Sequence, residues 1–200
     1  MTPLIALVVA YLVGGIPFGY LLVRWRTGED IREKGSGNIG ATNVLRTTGR
    51  SVAVATLLLD IAKGAFAVWV ADKLSGGSPV WMSLAALAVM AGHAFPIFLK
   101  FQGGKAVASF IGAFLYLTPG PMIAALAVFV IVVAATRQIS MGSIVAAGSL
   151  PLATWLIAHP PLIVIFAALV AAVFVIYRHR ANIERIRAGT ENVFRFGNSR

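Results

Sequence analysis

Three short polar segments of the chain carry the residues that could do chemistry. They are residues 34–43 (KGSGNIGATN), 101–105 (FQGGK) and 178–182 (RHRAN), and each lies between apolar stretches. Glycine-rich turns expose backbone amides, and amides together with Lys or Arg side chains are the groups that bind phosphate oxygens. If the three segments emerge on one side of a membrane, they favour an anion site there.

The first segment has the richest set of small hydrogen-bonding residues. Glycines allow the backbone to fold into a nest of amides, and short polar side chains add donors without bulk. The alternative is a flexible turn that only connects two membrane spans. The candidate phosphate ligands are Gly35, Ser36, Gly37, Asn38, Gly40, Thr42 and Arg46.

Nucleotide-binding motifs do not account for these glycines. Gly35, Gly37 and Gly40 match G-x-G-x-x-G literally, but a dinucleotide fingerprint needs a buried strand before it and a soluble βαβ unit around it. A phosphate-binding loop of the Walker type also fails at Gly104 and Lys105, since Ala106 stands where its Ser or Thr should be. No nucleotide or other cofactor is expected.

The second and third segments supply fewer candidates. Gly103, Gly104 and Lys105 repeat the glycine-and-cation pattern, although Lys105 alone could be a positive membrane anchor. His179 and Asn182 are three apart, which puts them on one face of a helix continuing out of the last apolar run. No metal site is expected, because the histidines lack partners at ligand spacing apart from Glu184.

The composition places these segments in an integral membrane protein. Hydrophobic residues make up 58% of the 200 residues and charged residues 12%. The net charge of +10 comes from cations at the edges of apolar runs, where they attract anionic lipid headgroups, so nucleic acid is not expected as a partner. The chain has no cysteine, which excludes disulfides and thiolate metal sites.

Runs of membrane-spanning length predict seven transmembrane helices in one domain covering residues 1–200. The runs are residues 3–23, 51–71 and 74–99, then 106–136 broken at 118–121, and 138–177 broken at 159–161. The second run contains Asp60 and Lys63, three apart on one face, and we expect them to pair and to join helices rather than to catalyse.

The distribution of Lys and Arg predicts the orientation. The positive-inside rule places the N-terminus outside and the C-terminus in the cytoplasm, with all three polar segments at the cytoplasmic face. Ser143, at the inner end of the sixth helix, is a further hydrogen-bond donor there. The predicted cytoplasmic cations are Arg24, Arg26, Arg32, Lys34, Arg46, Arg50, Lys100, Lys105, Arg137, Arg178, Arg180, Arg185, Arg187, Arg195 and Arg200.

Five sequence blocks together resemble the PlsY family of bacterial acyl phosphate:glycerol-3-phosphate acyltransferases. They are residues 35–44, 59–64, 92–96, 101–105 and 178–183, in the order of the family. The chain departs from the family pattern Gly-Gly-Lys-Gly-Val-Ala-Thr at Ala106 and Ser109, and the Cβ of Ala106 bears on how tight that turn can be.

The resemblance implies a seven-helix bacterial inner-membrane enzyme of phospholipid synthesis. It implies transfer of a fatty acyl group from acyl phosphate to the 1-hydroxyl of glycerol 3-phosphate, giving lysophosphatidic acid, and it suggests the soluble enzyme that makes acyl phosphate as a partner. The expected catalytic residues are Ser36, Arg46, Lys105, His179 and Asn182, and the expected phosphate ligands are Gly35, Gly37, Asn38, Gly40, Thr42, Gly103, Gly104 and Ser143.

The residues leave two questions open. The glycerol hydroxyl could lose its proton to His179 or to a substrate phosphate, and we favour the phosphate because no carboxylate is near His179 in sequence except Glu184. A transporter for a phosphorylated metabolite would explain Asp60 and Lys63, but it requires polar residues across the bilayer, and the outer halves of the runs are almost wholly apolar. A purely structural membrane protein leaves the glycine blocks unexplained.

Overall fold

The computed structural model describes residues 2–193, and within them the regular structure is helical. Two predicted cytoplasmic cations, Arg195 and Arg200, lie outside the described residues. The α-helices are α1 (Thr2–Gly14), α2 (Phe18–Thr27), α3 (Ala41–Thr47), α4 (Arg50–Ser75), α5 (Pro79–Ala94), α6 (Val107–Leu117), α7 (Pro119–Thr136), α8 (Ile139–Ala153), α9 (Leu162–Arg178) and α10 (Arg180–Arg187). Short 3-10 turns follow α2 (Ile31–Glu33) and α5 (Ile97–Leu99), and a π-helical turn (Thr154–Ala158) ends α8.

Each predicted apolar run forms helix, and most are long enough to cross a membrane. Five segments of the described chain meet that criterion by length and composition: Pro3–Thr27, Arg50–Ser75, Pro79–Leu99, Pro119–Thr136 and Ile139–Ala158. α9 and α10 would make a sixth if the pair, bent by 59°, is one span. α6 is apolar but has only 11 residues. The all-helical membrane fold is therefore confirmed, and the count of seven crossings stays a prediction.

Two boundaries differ from the predicted ones because of glycine and proline. The first run is interrupted between α1 and α2, where Pro17 has no N–H to continue the helical ladder. The third run was expected to begin at Leu74, but that residue belongs to α4, which ends at Ser75 and is capped by Gly76 in the left-handed conformation (φ 64°). α5 then begins at Pro79, a position where a missing N–H costs nothing.

The chain forms two compact units, divided between Leu117 and Thr118. In the first unit α1 packs on α5, and α4 packs on α6. Glycine allows these close approaches: a Cβ on Gly64 would clash with the Ser109 carbonyl, and one on Gly112 would clash with that of Ile61. Small residues at such contacts are typical of helix packing in membranes, where backbones come close together.

The second unit is built from α7, α8 and α9, with α8 in contact with both neighbours. The buried stripe of α9 consists of alanine and valine, including Ala168, Ala171 and Val175. Large apolar side chains such as Val130 and Phe166 remain exposed on these helices. Such a surface suits contact with lipid rather than with water.

Candidate active site

The first polar segment, residues 34–43, is held in shape from inside by Asn43. The Asn43 side chain is 2% exposed. Its Oδ1 accepts a hydrogen bond from the Ser36 amide at 2.9 Å, and its Nδ2 donates to the carbonyls of Lys34 at 3.0 Å and Asn38 at 2.9 Å. One buried carboxamide thus satisfies three backbone groups of the loop, so its conformation is set before any ligand binds.

The glycines of this loop mainly shape it. Gly35 (φ 58°) and Gly37 (φ 69°) adopt left-handed conformations that favour glycine. The Gly37 amide donates to the Lys34 carbonyl at 3.0 Å, and the Gly40 amide donates to Asn38 Oδ1 at 2.8 Å. Since these two amides are engaged within the loop, the expected nest of amides is smaller than the glycine count indicates.

Polar and cationic side chains of the same segment face outward. Ser36 and Arg46 are exposed and Thr42 is half-buried. Thr42 and Arg46 lie one turn apart on α3, so their side chains share a face of that helix. A hydroxyl and a guanidinium on one face, with Ser36 in the adjoining loop, are donors suited to phosphate oxygens.

An apolar cluster under this loop also includes the turn that leads to the second segment. Its buried members include Ile31, Ile39 and Val44 from the first loop and its flanks, and Leu99 from the turn Ile97–Leu99. The loop and the turn before residues 101–105 therefore share one core. This core is the feature that places the first two polar segments in the same region of the first unit.

The second segment folds back onto the end of α5. The Gly103 amide donates to the Ala94 carbonyl at 3.2 Å, and the Gly104 amide donates to the His93 carbonyl at 3.1 Å. A Cβ on Gly103 would clash with the His93 carbonyl, and one on Gly104 would clash with His93 Nε2. The close approach to His93 therefore explains why both positions are glycine. Lys105, the next residue along the chain, is half-buried.

Ala106 occupies a backbone conformation that glycine would adopt more readily. Its φ is 62° and the residue is fully buried. This explains in physical terms why the resembling family carries glycine there. The turn before α6 still forms with Ala106 in place, at the cost of left-handed backbone strain.

Asp60 and Lys63 pair inside α4, as the spacing predicts. Lys63 Nζ lies 2.7 Å from Asp60 Oδ1, and both side chains are 3% exposed. Lys63 Nζ also donates to the Ile16 carbonyl at 2.8 Å, at the break between α1 and α2. The pair thus joins two elements, which agrees with a role in holding helices together.

His179, in the second unit, lies at a bend rather than within a continuing helix. α9 ends at Arg178 and α10 begins at Arg180, at 59° to it, so the predicted continuation of the last helix is broken at His179. The bend coincides with the change from an apolar run to a charged one. His179 Nδ1 lies 2.8 Å from the Val175 carbonyl, which can only accept, so Nδ1 carries the proton and neutral His179 presents Nε2 as an acceptor.

Asn182 is held by a carboxylate that the sequence analysis missed. Asn182 Nδ2 donates to Glu191 Oε1 at 2.8 Å, and Glu191 also accepts from Ser140 Oγ at 2.9 Å and Arg185 Nε at 2.8 Å. Burial alone would raise the pKa of Glu191, but these hydrogen bonds hold it below its ordinary 4.5. The available signal was a second acidic residue, after Glu184, in a basic terminal segment, and this does not reveal its partner.

Ser143, the last of the predicted site residues, lies in the second unit. Ser143 is buried, and its hydroxyl donates within α8 to the Ile139 carbonyl at 2.9 Å.

An apolar cavity of about 350 Å³ opens beside the break between α1 and α2, lined by residues including Ile16, Phe18 and Lys63 but by none of the predicted phosphate ligands. Among the described residues, no three His, Asp or Glu side chains are grouped as metal ligands would be.

Comparison with known proteins gives one consistent family. The family profile for glycerol-3-phosphate acyltransferase matches residues 4–196. A glycerol-3-phosphate acyltransferase of Geobacter sulfurreducens is 51% identical over 98% of this chain and 99% of its own length. Another, of Geotalea daltonii, is 44% identical over 98% of this chain and the whole of its own.

The structural comparison agrees. The crystal structure of PlsY, an integral membrane glycerol 3-phosphate acyltransferase in its glycerol 3-phosphate form, matches with a TM-score of 0.91 and 36% identity, over 98% of this chain and 96% of that one. Its lysophosphatidic acid form matches with a TM-score of 0.89 and 35% identity. The chain therefore belongs to the glycerol-3-phosphate acyltransferase family of integral membrane proteins.

Proposed function

We propose that this protein transfers a fatty acyl group from acyl phosphate to the 1-hydroxyl of glycerol 3-phosphate. The products are lysophosphatidic acid and inorganic phosphate, the first acylation step of phospholipid synthesis. The observation that carries the proposal is a loop shaped internally by Asn43 that leaves Ser36, Thr42 and Arg46 facing outward, on the same apolar core as the turn leading to Lys105. Both substrates and one product carry phosphate, so a single cationic surface serves all three.

The proposed reaction needs no covalent enzyme intermediate. The 1-hydroxyl oxygen attacks the acyl carbonyl carbon, a new ester C–O bond forms, and the bond from that carbon to the phosphate oxygen breaks. The phosphate leaves with the bonding electron pair. Arg46 and Lys105 stabilise the negative charge on the phosphate groups, and Ser36 and Thr42 orient them by hydrogen bonds.

The hydroxyl proton is proposed to pass to a substrate phosphate. The second pKa of a phosphate monoester is about 6, so the dianion accepts a proton near neutral pH. His179 is oriented by the Val175 carbonyl, whereas general-base histidines are commonly oriented by a carboxylate that stabilises their charged form. We assign His179 and Asn182 the task of orienting the acceptor hydroxyl.

We further propose that the chain crosses the bacterial inner membrane seven times as one functional domain. The asymmetry of Lys and Arg supports an outside N-terminus, a cytoplasmic C-terminus and a site at the cytoplasmic face. A site at that face would receive acyl phosphate from the soluble enzyme that makes it. The glycine residues Gly35, Gly37, Gly40, Gly103 and Gly104 would shape the site, with Asn38 and Ser143 as further polar groups.

The test is a donor comparison with purified protein. Acyl phosphate and glycerol 3-phosphate should give lysophosphatidic acid, and acyl-CoA at the same concentration should not, because the proposed site holds anions of phosphate size and has no groove for a nucleotide. Lys105→Ala and Arg46→Ala should each lower turnover by about 10²-fold or more. Equal turnover with acyl-CoA, or full activity of both variants, would refute the proposal.

A further inference from the structure

A buried polar network lies beneath the second polar segment. It consists of Asp60 and Lys63 from α4, His93 from α5 and Ser109 from α6, and each is at most 4% exposed. His93 Nδ1 lies 3.1 Å from Ser109 Oγ and 3.7 Å from Asp60 Oδ1. The ion pair of Asp60 with Lys63 completes the chain of contacts across three helices.

His93 contacts the chain on both sides of Lys105. Before Lys105, the His93 carbonyl accepts the Gly104 amide, and Gly104 itself lies against His93 Nε2. After Lys105, the imidazole is hydrogen-bonded to Ser109, in the first turn of α6. The backbone that carries Lys105 is therefore held at two points by one residue, through its carbonyl and its imidazole.

Such a network is not needed merely to pack three helices. Ionisable residues inside a membrane span are costly to insert and are therefore rare unless they have a role. The α4 and α6 backbones already meet closely through Gly64 and Gly112. A buried hydrogen bond such as that between His93 and Ser109 specifies one geometry, which apolar side chains of similar size do less well.

We propose that His93 is a positioning residue for the acyl transfer. It holds Gly104 and Ser109 so that the ammonium group of Lys105 meets substrate phosphate at a fixed place, and the Asp60 carboxylate lies beside the imidazole, 3.7 Å away. His93 itself does not touch substrate. The inference rests on the proposed function, because it assigns Lys105 to the phosphate site.

The first test adds side-chain volume at position 104 and removes it at position 93, in the full-length protein. Gly104→Ala pushes a methyl group into the His93 ring, and His93→Ala removes the ring. Each should lower kcat/KM by about 10–100-fold, since a displacement of about 1 Å at a catalytic group has effects of that size. The double variant should be no worse than His93→Ala alone, because the new methyl group occupies vacated space.

A conservative variant and matched controls separate positioning from folding. His93→Gln, which can still hydrogen-bond Ser109, should recover several-fold of the activity lost in His93→Ala. Gly148→Ala, on an open helix face, and His159→Asn, at an exposed left-handed position, should leave activity unchanged. Two results would overturn the inference. In one, the losses of kcat/KM in the two single variants multiply in the double variant. In the other, His93→Ala keeps activity per folded molecule within about twofold of wild type.

Two serines cover the case in which His93→Ala does not fold. Ser109→Ala removes one hydroxyl from the network, and Ser83→Ala removes a buried hydroxyl of α5 for which the described residues provide no hydrogen-bond partner. Ser109→Ala should lower kcat/KM about 3–10-fold at unchanged folded yield, and Ser83→Ala should not. Equal activities of the two variants would overturn the inference. If Lys105→Ala remains active, the proposed function fails instead.

Discussion

Removing the charge of Lys63 should destabilise the protein strongly. Lys63→Met keeps most of the side-chain volume but leaves the Asp60 carboxylate, 3% exposed, without its ion-pair partner at 2.7 Å. It also removes the hydrogen bond to the Ile16 carbonyl. Breaking a buried ion pair by removing one partner costs about 3–5 kcal/mol, because the remaining charge is uncompensated.

This loss of stability should be measurable as a fall in the melting temperature. For a chain of this length, 1 kcal/mol lowers the melting temperature by about 2–4 °C, so Lys63→Met should melt about 6–20 °C below wild type. The measurement is thermal unfolding of purified protein in one detergent, followed by tryptophan fluorescence. The same preparation gives the folded yield at 4 °C as an independent readout.

Two companion variants test whether the unpaired buried charge is the cause. Asp60→Leu combined with Lys63→Met replaces both charges and should recover most of the loss, since a well-packed apolar pair often equals a buried ion pair. Lys73→Met removes an exposed partner of Asp72 and should shift the melting temperature by no more than about 2 °C. A double variant as unstable as Lys63→Met, or a Lys63→Met shift no larger than that of Lys73→Met, would show that the buried charge is not the cause.

Three further predictions concern other single positions. Ala106→Gly relieves left-handed strain of about 1 kcal/mol, partly offset by glycine's larger unfolded-state entropy, so the melting temperature should rise by up to about 4 °C and should not fall. The pKa of Glu191 is lowered in the folded protein, so the contribution of Glu191 to stability is fully present above about pH 4.5. That contribution is lost as the pH falls through the pKa of the folded state. The melting temperature of Glu191→Gln should therefore lack this acid-dependent fall. Glu191→Gln should also reduce turnover at pH 7, because Asn182 loses a charged acceptor. His179→Gln should keep activity within about tenfold of wild type and the same pH–rate profile, and loss of the acidic limb in this variant would identify His179 as a general base.

The fold was largely predictable because bilayer thickness constrains it so tightly. Each apolar run identified by length forms helix, and the break at Thr118 also ends a compact unit. The pairing of Asp60 with Lys63 was predictable for a similar reason, since residues three apart on a helix must be neighbours. Local geometry of this kind can be read directly from spacing.

Contacts that depend on how a loop turns back were not predictable in this way. The bond between Asn182 and Glu191 depends on how the chain turns after α10, and nothing in the spacing indicates that turn. The contact of His93 with Gly104 depends on residues 101–105 folding back over the end of α5. Three residues around that segment, Lys100, Phe101 and Ala106, would have had to be recognised as left-handed from residue types that rarely adopt that conformation.

The glycines show why residue type alone does not determine a role. A glycine provides an accessible amide and also the absence of a Cβ, and the sequence cannot distinguish which of the two is needed. At Gly37, Gly103 and Gly104 the amides donate to carbonyls of this chain, and at Gly104 the missing Cβ makes room for His93. Under the proposed function, phosphate charge is then met chiefly by Arg46 and Lys105. Since a cation stabilises a transition state only where it is held in place, residues that position Lys105 should affect turnover nearly as much as Lys105 itself.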